Sequence, residues 1–287
     1  MNYAFVKMHG AGNDYIYIDG FGEKPVPLKP SDAAIQWSRR RFSVGADGLI
    51  LILPHPVCDA EMRIFNADGS EAQMCGNGIR CVGKYLYDNG IKRKINLEIM
   101  TKSGVKRLKL VVNPQTDTVE TVVVNMGIPC FEPMRIPVLS DNGRADDMEL
   151  ELDGLGRITV DCVSMGNPHA VCFVEDVDEI DLELVGPPVE NHVAFPEGVN
   201  AEFVEIIDAH TLKFRVWERG SGETLACGTG ICAACAVAVK KGICRKNEKI
   251  TVYARGGALE IVVGDDGTVY MAGPAETAYR GEVEFDG

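Results

Sequence analysis

The chain has 287 residues, enough for one large domain or, as we expect, two of ordinary size, and its 46% hydrophobic and 25% charged residues are typical of a globular protein. The formal net charge of -13 argues against a nucleic-acid partner, because such partners are bound through clustered lysine and arginine. No apolar run is long enough to span a bilayer and the start of the chain does not resemble a secretory signal, so we expect a cytoplasmic protein without a membrane partner.

In the first half of the chain, short apolar runs bounded by turn residues predict strands at 4–6, 15–18, 48–53, 61–65, 95–100, 105–112 and 118–125. A polar loop between the first two strands contains Asn13, which could bind a ligand or only cap the turn. Ser31 and Asp32 predict the start of an amphipathic helix that ends near Arg41. Polar loops that connect strands, like the one that contains Asn13, commonly carry binding residues.

The fourth predicted strand leads to Cys75-Gly76-Asn77-Gly78-Ile79, a cysteine followed by a glycine-rich turn. Ile79, Val82 and Leu86 then follow at three- and four-residue spacing, which predicts a helix that begins just after Cys75. Asn89-Gly90 supplies its end. The unpaired N–H groups and partial positive charge of a helix start attract anions and stabilise a thiolate, so Cys75 is predicted to be an activated thiol.

The second half repeats this motif as Cys227-Gly228-Thr229-Gly230-Ile231, followed by small apolar residues that predict a deeply buried helix. Lys240, Lys241 and Gly242 indicate its end. One such motif would more often mark a buried structural cysteine. Its repetition instead favours a paired site, in which one small substrate lies between Cys75 and Cys227 with its carboxylate held by both helix ends.

The composition changes near residues 126–129, and a polar stretch containing Asp141-Asn142-Gly143 follows, so we place a domain boundary there. The predicted domains are residues 1–125 with 274–287, carrying Cys75, and residues 126–273, carrying Cys227. Strands are predicted in the second half at 157–163, 170–174, 201–206, 211–216 and 281–285. The predicted fold class is α/β (α+β), with two similar halves that each wrap strands around one apolar helix.

The ten cysteines do not form paired clusters at zinc-like spacing, so we expect no metal. Cys232 and Cys235 lie inside the second predicted helix, which favours packing over a redox role. No cofactor-binding motif is present either, and we expect no cofactor.

Two further motifs contain residues that could carry chemistry. His169, in the loop Gly166-Asn167-Pro168-His169, could orient a substrate, assist proton transfer, or simply bond to nearby backbone. Glu218 and Arg219 would suit an amino-acid substrate that carries both charges, or they could form a surface ion pair.

Taken together, HGAGNDY, NADGSEAQMCGNGIRC, GNPHAV, Glu218-Arg219 and GSGETLACGTG resemble the diaminopimelate epimerases, a family of pyridoxal-independent amino-acid epimerases. The resemblance covers essentially the whole chain. It implies two pseudo-symmetric domains, each a mixed strand-rich sheet or barrel around a central helix, with the active site in the cleft between them. It also implies interconversion of LL- and meso-diaminopimelate, in lysine and peptidoglycan precursor synthesis. Members of the family are often homodimers, so the resemblance also implies a homodimer.

The resemblance further implies roles for single residues. Cys75 and Cys227 take the place of the family's catalytic thiols, with His169 and Glu218 as supporting acid–base residues. The positions that match substrate-binding residues, including the backbone of the two helix starts, are Asn13, Asn66, Gly76, Asn77, Asn167, Asn200, Glu218, Arg219, Gly228 and Thr229. In one departure, Gly48 stands where some members have a substrate-binding glutamine.

Three other functions remain open from the sequence. A related two-thiol enzyme of the proline racemase type shares a cysteine in each half, although Asn77 and Glu218-Arg219 fit the diaminopimelate pattern better. A dithiol redox enzyme would couple turnover to a reductant. A non-catalytic amino-acid-binding protein would bind without inversion.

Overall fold

The computed structural model describes residues 1–22, 24–140 and 143–285. The chain forms two compact units, Met1–Val124 with Ala272–Gly287, and Asn125–Met271. These ranges differ from the predicted domain boundaries by one or two residues. The predicted polar turn at Asp141 and Asn142 lies outside the described residues.

The first unit is built mainly of strands, in agreement with the predicted mixed α/β class. Its strands are β1 (Asn2–Gly10), β2 (Asn13–Asp19), β3 (Gly48–Leu53), β4 (Ala60–Asn66), β5 (Glu71–Ala72), β6 (Asn96–Thr101), β7 (Gly104–Asn113), β8 (Thr118–Gly127), which ends just past the unit boundary, and β18 (Glu276–Glu284). Its helices are α1 (Pro30–Trp37) and α2 (Gly76–Asp88). Antiparallel pairs join β1 to β2, β3 to β4, β4 to β5 and β6 to β7. Parallel pairs join β2 to β3 and β4 to β6.

The second unit repeats this order of pairings. Its strands are β9 (Met148–Leu152), β10 (Gly156–Ser164), β11 (Pro168–Val174), β12 (Asn200–Asp208), β13 (Thr211–Glu218), β14 (Gly222–Thr224), β15 (Lys249–Ala254), β16 (Gly257–Val263) and β17 (Val269–Pro274), which ends past the unit boundary at Met271. Its helices are α3 (Leu182–Glu190) and α4 (Gly228–Lys240). Antiparallel pairs join β10 to β11, β12 to β13, β13 to β14 and β15 to β16. Parallel pairs join β11 to β12 and β13 to β15. Strands β10 to β16 thus correspond one by one to β1 to β7.

Both helices predicted after the cysteines are confirmed, as α2 and α4. Helix α2 packs against β1, β2 and β7, and α4 packs against β10, β11, β12 and β16. Because α4 consists largely of alanine, valine and cysteine, strands can approach it on nearly every side, and its residues from Ile231 to Ala238 are all buried. The prediction of a deeply buried second helix is confirmed.

Helix α1 is shorter than predicted, since it ends at Trp37 rather than near Arg41. Ser38 closes the helix, and the chain then turns back so that the Gly45 N–H donates to the Trp37 carbonyl at 2.9 Å. Arg41 has a φ of 72°, which no α-helix accommodates. Ser31 and Asp32 lie inside the first turn rather than capping it, because Pro30 already occupies the first helical position.

Helix α3 was not predicted, because Pro187 and Pro188 lie inside it and normally end a helix. It forms here because Asp181 caps its start, accepting a hydrogen bond from the Leu184 N–H at 3.2 Å, and because it packs against β12, β13 and β14. Tertiary packing overrides the local preference at this position.

Trp37 connects α1 to the last strand of the first unit. Its indole N–H donates to the Glu284 carbonyl at 3.1 Å. Its ring centroid lies 5.6 Å from that of Tyr3 and 5.7 Å from that of Phe285. The side chain is fully buried, so it fills the space between the helix and the paired strands β1 and β18.

We expect Trp37→Ala to lower the free energy of unfolding by about 3–5 kcal/mol, because it removes a large buried ring and an indole hydrogen bond. Urea unfolding followed by circular dichroism measures the change. Ile35→Ala, on the same helix at a half-exposed position, is the matched control and should cost about 1 kcal/mol or less. Equal losses in the two variants would show that Trp37 does not stabilise the packing of α1 against β1 and β18.

Candidate functional site

Each cysteine follows a short hairpin that carries an ion pair at the same spacing. In the first unit Arg63 Nε lies 2.8 Å from Glu71 Oε1, and in the second Arg215 Nε lies 2.8 Å from Glu223 Oε1. In both units the glutamate precedes the cysteine by four residues. A charged pair in this geometry fixes the path of the chain as it leaves the hairpin, so the same local arrangement positions both cysteines.

Cys75 is the N-cap residue of α2, with an extended backbone. Its sulfur accepts a hydrogen bond from the Gly78 N–H at 3.3 Å, and its S–H donates to Asn13 Oδ1 at 3.2 Å. Asn13 Nδ2 in turn donates to Asp47 Oδ2 at 2.8 Å. The carboxylate of Asp47 therefore fixes the amide of Asn13 with its oxygen toward the thiol.

The other predicted residues of the first unit lie around this cluster. Asn77 is buried, and its Oδ1 accepts a hydrogen bond from Arg80 at 3.0 Å, so its side-chain oxygen is engaged within the helix. Asn66 ends β4, and its Nδ2 donates to Ser70 Oγ at 3.0 Å, within the turn that follows the strand. The structure thus brings Asn13 onto Cys75 but keeps the hydrogen bonds of Asn66 within its own turn.

Gly48 lies where the neighbouring strands leave no room for a side chain. It pairs with Tyr15 on one side and Asn66 on the other. A Cβ atom at Gly48 would lie 2.2 Å from the carbonyl oxygen of Phe65, which is far too close for any side chain. A glutamine therefore cannot take this place while the strands keep this register.

In the second unit, four of the predicted residues form one chain of hydrogen bonds. Cys227 Sγ lies 3.4 Å from Thr229 Oγ1. Thr229 Oγ1 accepts from Asn167 Nδ2 at 3.3 Å, and Asn167 Oδ1 lies 3.0 Å from His169 Nε2. Residues separated by up to 62 positions in sequence thus meet at the start of α4.

His169 is bonded to side chains rather than to backbone. Its Nδ1 lies 2.6 Å from Glu202 Oε1, and neither side chain is exposed. Burial lowers the pKa of His169 to about 3, with Glu218 acting in the opposite direction and Arg219 in the same direction. The imidazole is therefore neutral near pH 7 and uses both nitrogens within the protein.

Asn200 ties two segments of the site together. Its Nδ2 donates to the Pro168 carbonyl at 2.8 Å, and its Oδ1 accepts from the Arg219 N–H at 3.0 Å. It therefore holds the Arg219 backbone beside the start of β11. Glu218 accepts a hydrogen bond from the Thr224 hydroxyl, which lies in β14.

The electrostatics at Cys227 differ from the expectation of an activated thiol. Burial raises the pKa of Cys227 well above its ordinary value, and the carboxyl groups of Glu218 and Glu202 raise the pKa further. The Thr229 hydroxyl and the Gly230 amide act in the opposite direction, but they do not compensate. A thiol whose pKa is raised in this way stays protonated near pH 7.

The sequence did not single out Asp47, Glu202 or Thr224. Glu202 had one usable signal, since it follows Asn200 by two residues and so faces the same side of β12. The contacts of Asp47 and Thr224 depend on strand pairing that sequence patterns do not specify.

In the described ranges 1–22, 24–140 and 143–285, no three histidine, cysteine or acidic residues lie together as a metal site requires. The same ranges contain no helix that is both long and apolar enough to cross a membrane.

The chain is similar in sequence and in fold to known proteins. The model of the family described as diaminopimelate epimerase matches residues 5–131 and 161–278. A diaminopimelate epimerase from Acetivibrio thermocellus is 49% identical over 98% of this chain and 99% of its own length, and one from Methanococcus maripaludis is 48% identical over the same shares. A crystal structure of a probable proline racemase from Agrobacterium radiobacter superposes with a TM-score of 0.72, covering 99% of this chain and 93% of that one. At 17% identity the last likeness shows the fold alone.

We expect Glu218→Gln to speed the alkylation of Cys227 at about pH 8.5, because removing a neighbouring negative charge lowers the pKa of the thiol and only the thiolate reacts. Thr229→Val should slow it, because the hydroxyl that lowers this pKa is lost. Iodoacetamide labelling resolved by peptide mass spectrometry gives both rates. Cys130, half-buried in the same unit, is the internal standard and should react equally in all samples. Slower labelling of Cys227 in Glu218→Gln, or faster labelling in Thr229→Val, would contradict the effect assigned to that group.

Proposed function

The chain belongs to the diaminopimelate epimerase family, and we infer that it is an isomerase that interconverts LL- and meso-2,6-diaminopimelate. The observation that carries this inference is the 49% identity to a diaminopimelate epimerase over nearly the full length of both chains. The reaction serves lysine and peptidoglycan precursor synthesis.

The proposed reaction uses two thiols on opposite faces of the α-carbon. One cysteine, as the thiolate, takes the α-hydrogen, so that a C–H bond breaks and an S–H bond forms. The other, as the thiol, gives its proton to the opposite face. The raised pKa of Cys227 supports its role as the acid in one direction, with Cys75 as the base, and the reverse reaction exchanges these roles.

The α-hydrogen of an amino acid is only weakly acidic, so the negative charge that develops during its removal must be stabilised. In the proposal, the N–H groups of Gly76-Asn77 and of Gly228-Thr229 bind the α-carboxylate at the starts of α2 and α4. These N–H groups are fixed in place and lie at the positive end of each helix dipole. They therefore stabilise the charge that develops in the transition state more than they stabilise the ground state.

The proposal needs two pseudo-symmetric domains with the substrate in the cleft between them. Two observations within the separate units support it. The strand pairings of β1 to β7 recur in β10 to β16, and the Arg–Glu–Cys spacing of Arg63, Glu71 and Cys75 recurs in Arg215, Glu223 and Cys227. Such repetition would give each α-carbon face its own thiol and its own helix end.

The distal amino-acid end of the substrate is assigned to the asparagines and to Arg219. Asn200 holds the Arg219 backbone, and the Arg219 guanidinium donates to the Glu197 carbonyl at 2.8 Å. A guanidinium pairs well with a distal carboxylate. A homodimer and a cytoplasmic location stay predictions. The proline racemase type of function is less favoured, because that likeness rests on 17% identity and concerns the fold.

We expect Cys75→Ala and Cys227→Ala each to reduce epimerisation of LL-diaminopimelate by about 10²- to 10⁴-fold, since each face needs its own proton carrier. The rate is followed by chiral chromatography of the meso product. Cys130→Ala, at a half-buried cysteine outside the cluster, is the matched control and should keep wild-type activity. Full activity in either of the first two variants would disprove the assignment of that thiol.

In D₂O, we expect the first meso product formed from LL-diaminopimelate to carry deuterium at the inverted carbon while unreacted substrate stays protonated. The reason is that the thiol giving the proton exchanges with solvent, whereas the other thiol carries the substrate hydrogen away. Mass spectrometry of initial-rate samples measures both species. A meso product that forms mostly without deuterium would indicate a single base that returns the same hydrogen.

A further inference from the structure

Glu202 is a fully buried acidic residue that the proposed reaction does not use. It lies in β12, with Oε1 2.6 Å from His169 Nδ1. Its second oxygen, Oε2, is buried and makes no hydrogen bond within the part of the chain that the structure describes. An ionised carboxylate left in this state is costly, whereas a protonated carboxyl group leaves only one neutral oxygen unbonded.

The first unit shows that packing does not require an acid at this position. Gly78 and Gly230 both lie three residues after the cysteine that begins their helix. A Cβ atom at Gly78 would lie 2.7 Å from Ile50 Cδ1, and one at Gly230 would lie 2.8 Å from Glu202 Oε1. The space between the helix start and the neighbouring strand is therefore occupied by an isoleucine in one unit and by a glutamic acid in the other.

The protonation of Glu202 determines the direction of the hydrogen bonds that lead to Cys227. If Glu202 is protonated, its O–H donates to Nδ1 of His169, and the histidine proton must lie on Nε2, facing Asn167 Oδ1. Asn167 Nδ2 then donates to Thr229 Oγ1. Among the residues that the structure describes, the acceptor left for the Thr229 hydroxyl is the Cys227 sulfur, 3.4 Å away.

An ionised Glu202 would reverse every one of these bonds. It would accept from Nδ1–H, the bare Nε2 would need Asn167 to donate, and Thr229 would then donate away from the sulfur. Burial raises the pKa of Glu202 well above its ordinary value, and Glu218 raises the pKa further. The backbone N–H groups of Glu202 and Ala170 lower this pKa but do not compensate, so the protonated form is favoured.

We propose that Glu202 is a positioning residue that acts through His169: as a neutral acid it sets the histidine tautomer, and the chain through Asn167 and Thr229 then aims a hydroxyl hydrogen at Cys227. When Cys227 gives its proton to the substrate, this hydroxyl stabilises the thiolate that remains. The kinetic consequence of this proposal rests on the proposed function, but the tautomer of His169 can be tested without substrate.

The direct test is NMR of the whole protein with ¹⁵N-labelled histidine near neutral pH. We expect the ring signals of His169, assigned by their loss in His169→Gln, to show a protonated Nε2 and a bare Nδ1. A protonated Nδ1 would overturn the proposal. This result does not depend on whether diaminopimelate is the substrate.

The second test compares two variants of Glu202. Glu202→Gln keeps an N–H donor to Nδ1 and should retain the Nε2–H tautomer and a kcat within about threefold of wild type. Glu202→Met removes the donor and should lower kcat for LL-diaminopimelate by about 10- to 100-fold with KM little changed.

Glu205→Met, in the same strand but bonded to the Val177 N–H and to Lys213, is the matched control and should keep the wild-type kcat. Equal kcat in Glu202→Met and wild type would refute the proposal, as would a loss in Glu202→Gln as large as in Glu202→Met. If wild type does not epimerise diaminopimelate, the proposed function fails, and the NMR result still decides the role of Glu202.

Discussion

The structure depends on the placement of each cysteine immediately before a buried helix. Cys75 and Cys227 are both N-cap residues with an extended backbone. The hairpin before each cysteine is fixed by an arginine–glutamate pair, and the helix after it is fixed by packing against three or four strands. Because the chain is held on both sides of the sulfur, the thiol has little positional freedom, and the neighbouring polar groups can be arranged around a fixed point.

The two units use this shared plan with different polar groups. In the first, Asp47 orients Asn13 so that an amide oxygen accepts from the Cys75 thiol. In the second, a longer chain through Asn167 and Thr229 brings a hydroxyl to Cys227. The backbone is therefore duplicated, while the surroundings of the two thiols have become different. That difference suits a reaction in which the two sulfurs begin each turnover in opposite protonation states.

The sequence predicted the parts of this arrangement that depend on local pattern. Apolar spacing after Cys75 and the small residues after Cys227 were sufficient to predict α2 and α4. The end of α1 and the existence of α3 were not predicted, because tertiary packing outweighs local preference there. Glu202 was not recognised because its partner His169 lies 33 residues away in sequence, and the high pKa of Cys227 arises from burial that only the fold reveals.

The discontinuity of the first unit has a consequence for biosynthesis. Strand β18, residues 276–284, pairs with β1 along almost its whole length, and Trp37 packs where the two strands meet. A ribosome delivers β1 long before β18, whereas the second unit, residues 125–271, is continuous and emerges complete. The second unit can thus fold during translation, while β1 keeps an unpaired edge until the last strand has been made. The second unit can therefore complete its fold before the first unit does, although it follows most of the first unit along the chain.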